Sequence, residues 1–335
     1  MNDFQRYLAE EFVEDYAEGR MTRREALKLI ASVTGSFLLA NTLLAACELP
    51  PAQSTSTTSP TTTPAPDTAE PAATPTSQPV STQSSATATP APASPTVVGG
   101  GTVSPDDPAV IAGPVEFPGE GATLVGYLAR PNVEGAFPVV LVCHENRGLT
   151  NHIRDVTRRL AKAGYVALAV DLLSRQGGTD VVGSSQVPGA LGNTPPDQFV
   201  QDFVSGWQYL QTQPFAQADR VGMVGFCFGG GVTWRVATQM PELKAAVPFY
   251  GPSPSVSDVP NINAAVLAIY GELDTRINQG VPAIEAAMQQ NNKVYEKVIY
   301  PNADHAFHND TGSRYNAEAA RDAWARVLAW FAKYL

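Results

Sequence analysis

An apolar run from Val221 to Val224 stops at Gly225, and the chain then reads Phe226, Cys227, Phe228 and three glycines before a helical pattern sets in. The stretch Gly225-Phe226-Cys227-Phe228-Gly229 is a G-x-C-x-G pattern, which predicts a strand, a sharp turn and a helix. A side chain on so tight a turn sits in strained backbone. A Cβ two residues before or after it would strike a neighbouring strand or helix, which accounts for the flanking glycines. Such a turn lifts the Cys227 thiol off the end of a sheet. It also sets the thiol at a helix N-terminus, where the backbone dipole favours thiolate.

The surrounding chain supplies the sheet that this turn requires. Residues 115–117 and 123–129 predict a hairpin around Gly119-Glu120-Gly121. Residues 137–143 are continuously apolar, as in a strand buried on both faces. Residues 151–162 have helical spacing, with Arg154, Arg158, Arg159 and Lys162 expected on the wet face and Gly164 as the stop. A strand at 165–170, a Gly/Ser-rich loop at 174–194 and a helix at 196–210 precede the turn. Strands at 244–250, 264–270 and 293–300, a helix at 281–290 and a long amphipathic helix at 315–334 follow it. Alternation of this kind predicts an α/β fold, a mostly parallel central sheet with helices on both faces.

The amino-terminal third is different in kind. Thr22-Arg23-Arg24-Glu25-Ala26-Leu27-Lys28 precedes an uncharged apolar stretch over 29–44, the order of an export signal. The paired arginines resemble a twin-arginine signal. Leu44-Ala45-Ala46-Cys47 resembles a bacterial lipobox, which implies cleavage before Cys47 and lipidation of that residue. An uncleaved anchor is the alternative, though the run is short for a spanning helix. The expected divisions are a signal peptide at 1–46, a disordered Pro/Ser/Thr-rich tether at 47–102 and a catalytic domain at 103–335. The domain is expected outside the cytoplasm, held to the membrane through an N-terminal lipid anchor.

A net charge of −10 argues against a nucleic-acid-binding surface. Three cysteines are too few for a disulfide framework, and no His/Cys/Asp cluster has metal-ligand spacing, so neither a metal nor an organic cofactor is expected. Chemistry in a parallel sheet collects at the carboxyl ends of the strands. Four segments reach that edge: Cys143-His144-Glu145-Asn146, Cys227, Gly271-Glu272-Leu273-Asp274 and Asp304-His305-Ala306-Phe307. The order nucleophile, acid, base points to Cys227, Asp274 and His305 as a triad. Cys227 would attack a carbonyl as thiolate, His305 would carry the proton, and Asp274 would fix the imidazole tautomer. His308 is the alternative base and Asp304 the alternative acid. The backbone N–H groups of Phe228 and Asn146 are the expected oxyanion hole. Cys143 and Trp234 read as core residues.

These motifs, G-F-C-F-G-G-G, G-E-L-D and D-H-A-F after C-H-E-N-R-G-L, resemble the dienelactone hydrolase family over about residues 115–335. The resemblance implies an α/β-hydrolase fold and cleavage of a small ester or lactone through a thioester acyl-enzyme. It implies that Glu145 receives the thiol proton when substrate binds. It also implies a substrate-carboxylate contact from Arg175, in Asp171-Leu172-Leu173-Ser174-Arg175. The second arginine of that clamp would fall at Asn309, a departure that weakens the anion site. A broader carboxylesterase or thioesterase, or a surface binding protein on a hydrolase scaffold, are the alternatives.

Overall fold

The computed structural model describes residues 1–46 and 101–335. Cys47 and nearly all of the expected tether lie outside the described residues. In chain order, the described residues form α1 (Asp3–Ala17), α2 (Arg23–Thr34), α3 (Phe37–Ala45), β1 (Val110–Gly119), β2 (Ala122–Pro131), β3 (Phe137–Cys143), α4 (Asn151–Lys162) and β4 (Val166–Val170). There follow α5 (Val187–Asn193), α6 (Pro196–Gln211), β5 (Ala216–Phe226), α7 (Phe228–Gln239), β6 (Ala245–Phe249) and β7 (Ala265–Gly271). The last elements are α8 (Thr275–Asn278), α9 (Val281–Gln290), β8 (Tyr295–Tyr300) and α10 (Ala317–Tyr334).

The eight strands form one sheet in the order β1-β2-β4-β3-β5-β6-β7-β8. β2 pairs antiparallel with both β1 and β4, and every other pairing is parallel. β4, β6 and β7 are buried at every position, which is why their sequences are unbroken apolar runs rather than alternating ones. Helices cover both faces, as two glycines of β5 show. A Cβ on Gly222 would meet Phe331 and Leu335 at the end of the chain, whereas one on Gly225 would meet Gly229 and Thr233 of α7. Residues three apart on a strand point to opposite faces.

Two details depart from the sequence expectation. Arg158 and Arg159 of α4 are buried rather than wet. Arg158 donates to Val103 O (2.6 Å) and Tyr127 Oη (3.1 Å), while Arg159 pairs with Asp155 and Asp310. Partner acids make burial of a guanidinium tolerable, and helical spacing alone does not reveal them. The expected loop at 174–194 contains a short 3₁₀ turn at Ser174–Gln176 and helix α5.

Helices α1 to α3 share one hydrophobic core with the sheet. α1 opens with a capping box: the Asn2 side chain accepts Gln5 N–H (2.8 Å), and the Gln5 side chain accepts Asn2 N–H (2.9 Å). α2 starts with the equivalent Thr22/Glu25 box and stops at Gly35, whose φ of 71° only glycine adopts cheaply. That stop divides the apolar stretch over 29–44 between two short helices. Among the described residues no helix is long and apolar enough to cross a membrane.

Candidate active site

β5 delivers Cys227 at φ 58° and ψ −121°, outside the regions that L-residues ordinarily occupy. The turn is pinned on both sides. Cys227 N–H donates to Phe249 O (3.1 Å), and Cys227 O accepts from Gly230 N–H (2.9 Å). A Cβ on Gly229 would lie 2.4 Å from the carbonyl oxygen of His144, so the loop after β3 presses on the first turn of α7. That contact brings the loop carrying Asn146 against Phe228, whose N–H at the start of a helix has no intrahelical acceptor.

His144 holds this loop in place. Its Nε2 accepts Leu172 N–H (3.2 Å), so Nδ1 carries the proton and donates to Glu145 O (2.7 Å). Burial lowers its pKa and keeps the ring neutral. The sequence reading gave His144 no role, because both its partners are backbone atoms that leave no residue pattern.

β7 ends at Gly271, and Asp274 caps α8 by accepting Ile277 N–H at 3.3 Å. Its other oxygen accepts His305 Nδ1–H at 2.6 Å. The remaining ring nitrogen of His305, Cys227 Sγ and a Glu11 carboxylate oxygen all lie within 4.8 Å of one another. Cys227, His305 and Asp274 are each no more than 3% exposed. Burial disfavours a charged His305, but the Asp274 carboxylate opposes it and raises the pKa. Burial and then Glu11 push the Cys227 thiol up, with His305 opposing them only in part. The expected dipole effect on the thiol is therefore opposed by desolvation and by the Glu11 carboxylate.

Neither alternative catalytic residue reaches the thiol. His308 is buried with its ring stacked on Phe226, 5.1 Å between centroids, and burial together with His152 and Arg159 lowers its pKa to about 3. Asp304 turns back to accept His305 N–H (2.7 Å). Cys143 and Trp234 are fully buried.

The residues drawn from the family resemblance are placed less simply. Arg175 is not brought to the site: it donates to Glu120 O (2.7 Å) and to the buried Asp202 carboxylate (2.9 Å). Glu145 is buried beside the site, and one of its oxygens accepts Asn309 Nδ2–H at 2.7 Å. Burial raises its pKa. The carboxylate within reach of the thiol is instead Glu11 of α1, its two oxygens 3.6 and 3.7 Å from Sγ. Tyr7 Oη lies 3.2 Å from the same sulfur. A signal for Glu11 did exist. Phe4, Tyr7, Leu8 and Phe12 repeat at helical spacing, and Glu11 and Asp15 fall within that apolar stripe rather than opposite it.

A cavity of about 780 Å³ opens over this cluster. The carboxylates Glu11 and Asp15 and the cations Arg147 and Arg314 line it together with Cys227 and His305. Among the described residues, Glu11, Cys227 and His305 are the one trio of such donors close enough to share a cation, and a cation there would engage the thiol itself.

A sequence model of the Dienelactone hydrolase family matches residues 124–335. A Salmonella typhimurium protein, provisionally named a carboxymethylenebutenolidase, is 38% identical over 226 residues, covering 62% of this chain and 82% of the relative. A Methylorubrum extorquens protein of the same provisional name is 36% identical over 225 residues, covering 62% and 76% respectively. Among solved structures, a provisionally named dienelactone hydrolase from Klebsiella pneumoniae shares 38% identity with a TM-score of 0.63, over 68% of this chain and 100% of that one. A dienelactone hydrolase-like promiscuous phosphotriesterase from metagenomic libraries aligns with a TM-score of 0.59 at 25% identity, over 68% and 99%. The architecture they share with this chain is the α/β-hydrolase fold.

Proposed function

Since the chain belongs to the dienelactone hydrolase family, we propose that it hydrolyses a small ester or lactone with Cys227 as nucleophile. The observation that carries this reading is the 2.6 Å bond from His305 to Asp274, which leaves the other imidazole nitrogen beside a thiol on a strained turn. His305 takes the thiol proton as Sγ attacks the carbonyl carbon. The oxyanion that forms is held by the Phe228 and Asn146 N–H groups. Collapse expels the alkoxide, which takes the proton back from His305 and leaves a thioester on Cys227. Water then gives a proton to His305 and attacks the thioester. The acid leaves, and the sulfur recovers the proton. Asp274 keeps the imidazole oriented through both halves.

An activated ester should give a burst of alcohol and an acid-quenched acyl adduct on the peptide that holds Cys227. An adduct-free enzyme turning over at full rate would overturn the thioester route.

A second reading concerns the substrate. With Arg175 bound to Asp202 and Asn309 in place of a second arginine, uncharged esters fit better than carboxylate-bearing lactones. On a panel of both, kcat/KM should favour short neutral esters by about tenfold or more, the scale of one missing charged hydrogen bond. Preference for anionic lactones would mean that another cation lining the cavity, Arg147 or Arg314, has taken over the clamp.

The amino-terminal pattern supports export and lipid attachment at Cys47. Cys47→Ser should then shift the protein from the membrane to the soluble fraction, and unchanged retention would point to an uncleaved anchor.

A further inference from the structure

We propose that helix α1 is a resident ligand of the catalytic cleft, with the Glu11 carboxylate standing where the acid product of hydrolysis would stand. This rests on the reading of Cys227 as the nucleophile. A scissile carbonyl has to come within about 3–3.5 Å of the attacking sulfur. Glu11 occupies the end of the cavity that reaches the sulfur. The Glu11 oxygens are 3.6 and 3.7 Å from Sγ, and Oε1 accepts a hydrogen bond from Asn146 Nδ2 (2.9 Å) and lies 3.9 Å from His305 Nε2. Glu11 is only 3% exposed. Ester hydrolysis leaves a carboxylate between nucleophile, base and oxyanion loop, and Glu11 presents one there from the chain itself.

The rest of α1 is shaped to hold that carboxylate in place. The Phe4 ring packs on Phe228, at 4.9 Å between centroids, in the first turn of the nucleophile helix. Phe12 is fully buried. At the rim, Glu14 pairs with Arg276 (2.9 Å), whose guanidinium also covers the Tyr7 ring at 4.8 Å. Asp15 approaches Arg314 at 3.6 Å. An acidic, amphipathic helix thus meets an apolar groove edged with arginine. The docked helix closes the site in two ways: it excludes the acyl group, and its carboxylate disfavours the thiolate. Turnover requires α1 to leave the cleft, by swinging away in the uncut chain or by loss with residues 1–46 where the chain is cut before Cys47. In the uncut chain, apparent affinity for substrate is scaled by the fraction of molecules in which it has swung away.

The test uses the uncut chain, its amino terminus confirmed by intact mass, in two variants that loosen α1 differently. Glu11→Ala removes the carboxylate. Phe4→Ala with Phe12→Ala keeps Glu11 and weakens the docking. Two rates are read: alkylation of Cys227 by iodoacetamide, resolved from Cys47 and Cys143 by peptide mass spectrometry, and hydrolysis of an activated acetate ester. Circular dichroism and thermal melts confirm that both variants are folded. Both rates should rise in both variants by about tenfold, as expected when a site closed nine times in ten is opened. A rise confined to Glu11→Ala would make the effect a local charge on the thiol and overturn the docking role. A fall in hydrolysis with Glu11→Ala would make Glu11 a working part of the catalyst and overturn it as well. If hydrolysis by the parent is raised by neither variant, α1 fails and the hydrolase reading stands. If alkylation quickens but no protein hydrolyses ester, the hydrolase reading fails and takes the product role with it.

Discussion

Replacing Cys227 by Ala lowers kcat for ester hydrolysis by roughly 10⁴- to 10⁶-fold, the range seen when a covalent nucleophile is removed from a triad. The loss is large because neither His308 nor Cys143 can take its place. His308 is stacked away from the site and Cys143 is sealed in β3. The residual rate comes from the oxyanion donors and substrate binding alone. The fold should be unaffected, since Ala keeps the Cβ that the strained turn already accommodates and removes a group that is only 3% exposed. Steady-state kinetics beside an unchanged melting curve checks both halves. Wild-type turnover in the variant would remove Cys227 from the mechanism.

Asp274→Asn lowers kcat by about 10³- to 10⁴-fold through the tautomer of His305. An amide turned to donate to Nδ1 forces the imidazole proton onto Nε2, the nitrogen that has to accept the thiol proton. The cap on α8 survives, because Asn accepts the Ile277 N–H as readily as Asp. The pH profile carries a second signature. Burial pulls the His305 pKa down while Asp274 holds it up, so loss of the carboxylate lets it fall. Whatever limb of the kcat/KM profile His305 governs should move to lower pH in the variant. An unmoved limb and a near-normal kcat would place the orienting acid elsewhere.

The sheet, and the strand ends that bring Cys227, Asp274 and His305 together, were legible because both are written in local pattern. Buried parallel strands are unbroken apolar runs, and the turn at Cys227 demands glycines at fixed offsets. The acid and base follow strand ends whose positions can be counted. What escaped the pattern depends on distant partners. Arg158 and Arg159 look solvated until Asp310 and Val103 are brought to them from other segments. Arg175 has the spacing of a substrate clamp, but it answers to Asp202 on α6. Asn309 stands where the anion clamp loses an arginine, and its use, holding Glu145, appears only when two loops meet. Glu11 was the largest omission. An apolar stripe says that a helix docks but does not name the surface that receives it, and an acid within that stripe is the one hint that the surface is polar.

The contact between α1 and the nucleophile also has a history in the life of each molecule. Tyr7 and Cys227 touch across 220 residues of chain. Closing so long a span comes after the local strand and helix pairings that reward folding early. A helix of 15 residues is marginal on its own in water, so α1 has little to hold it until the finished sheet offers its groove. On that order the Cys227 thiol is expected to be assembled first and covered afterwards. Folding in that order would leave Cys227 bare for an interval, in which a passing ester or an oxidant could reach the sulfur before the amino-terminal helix does.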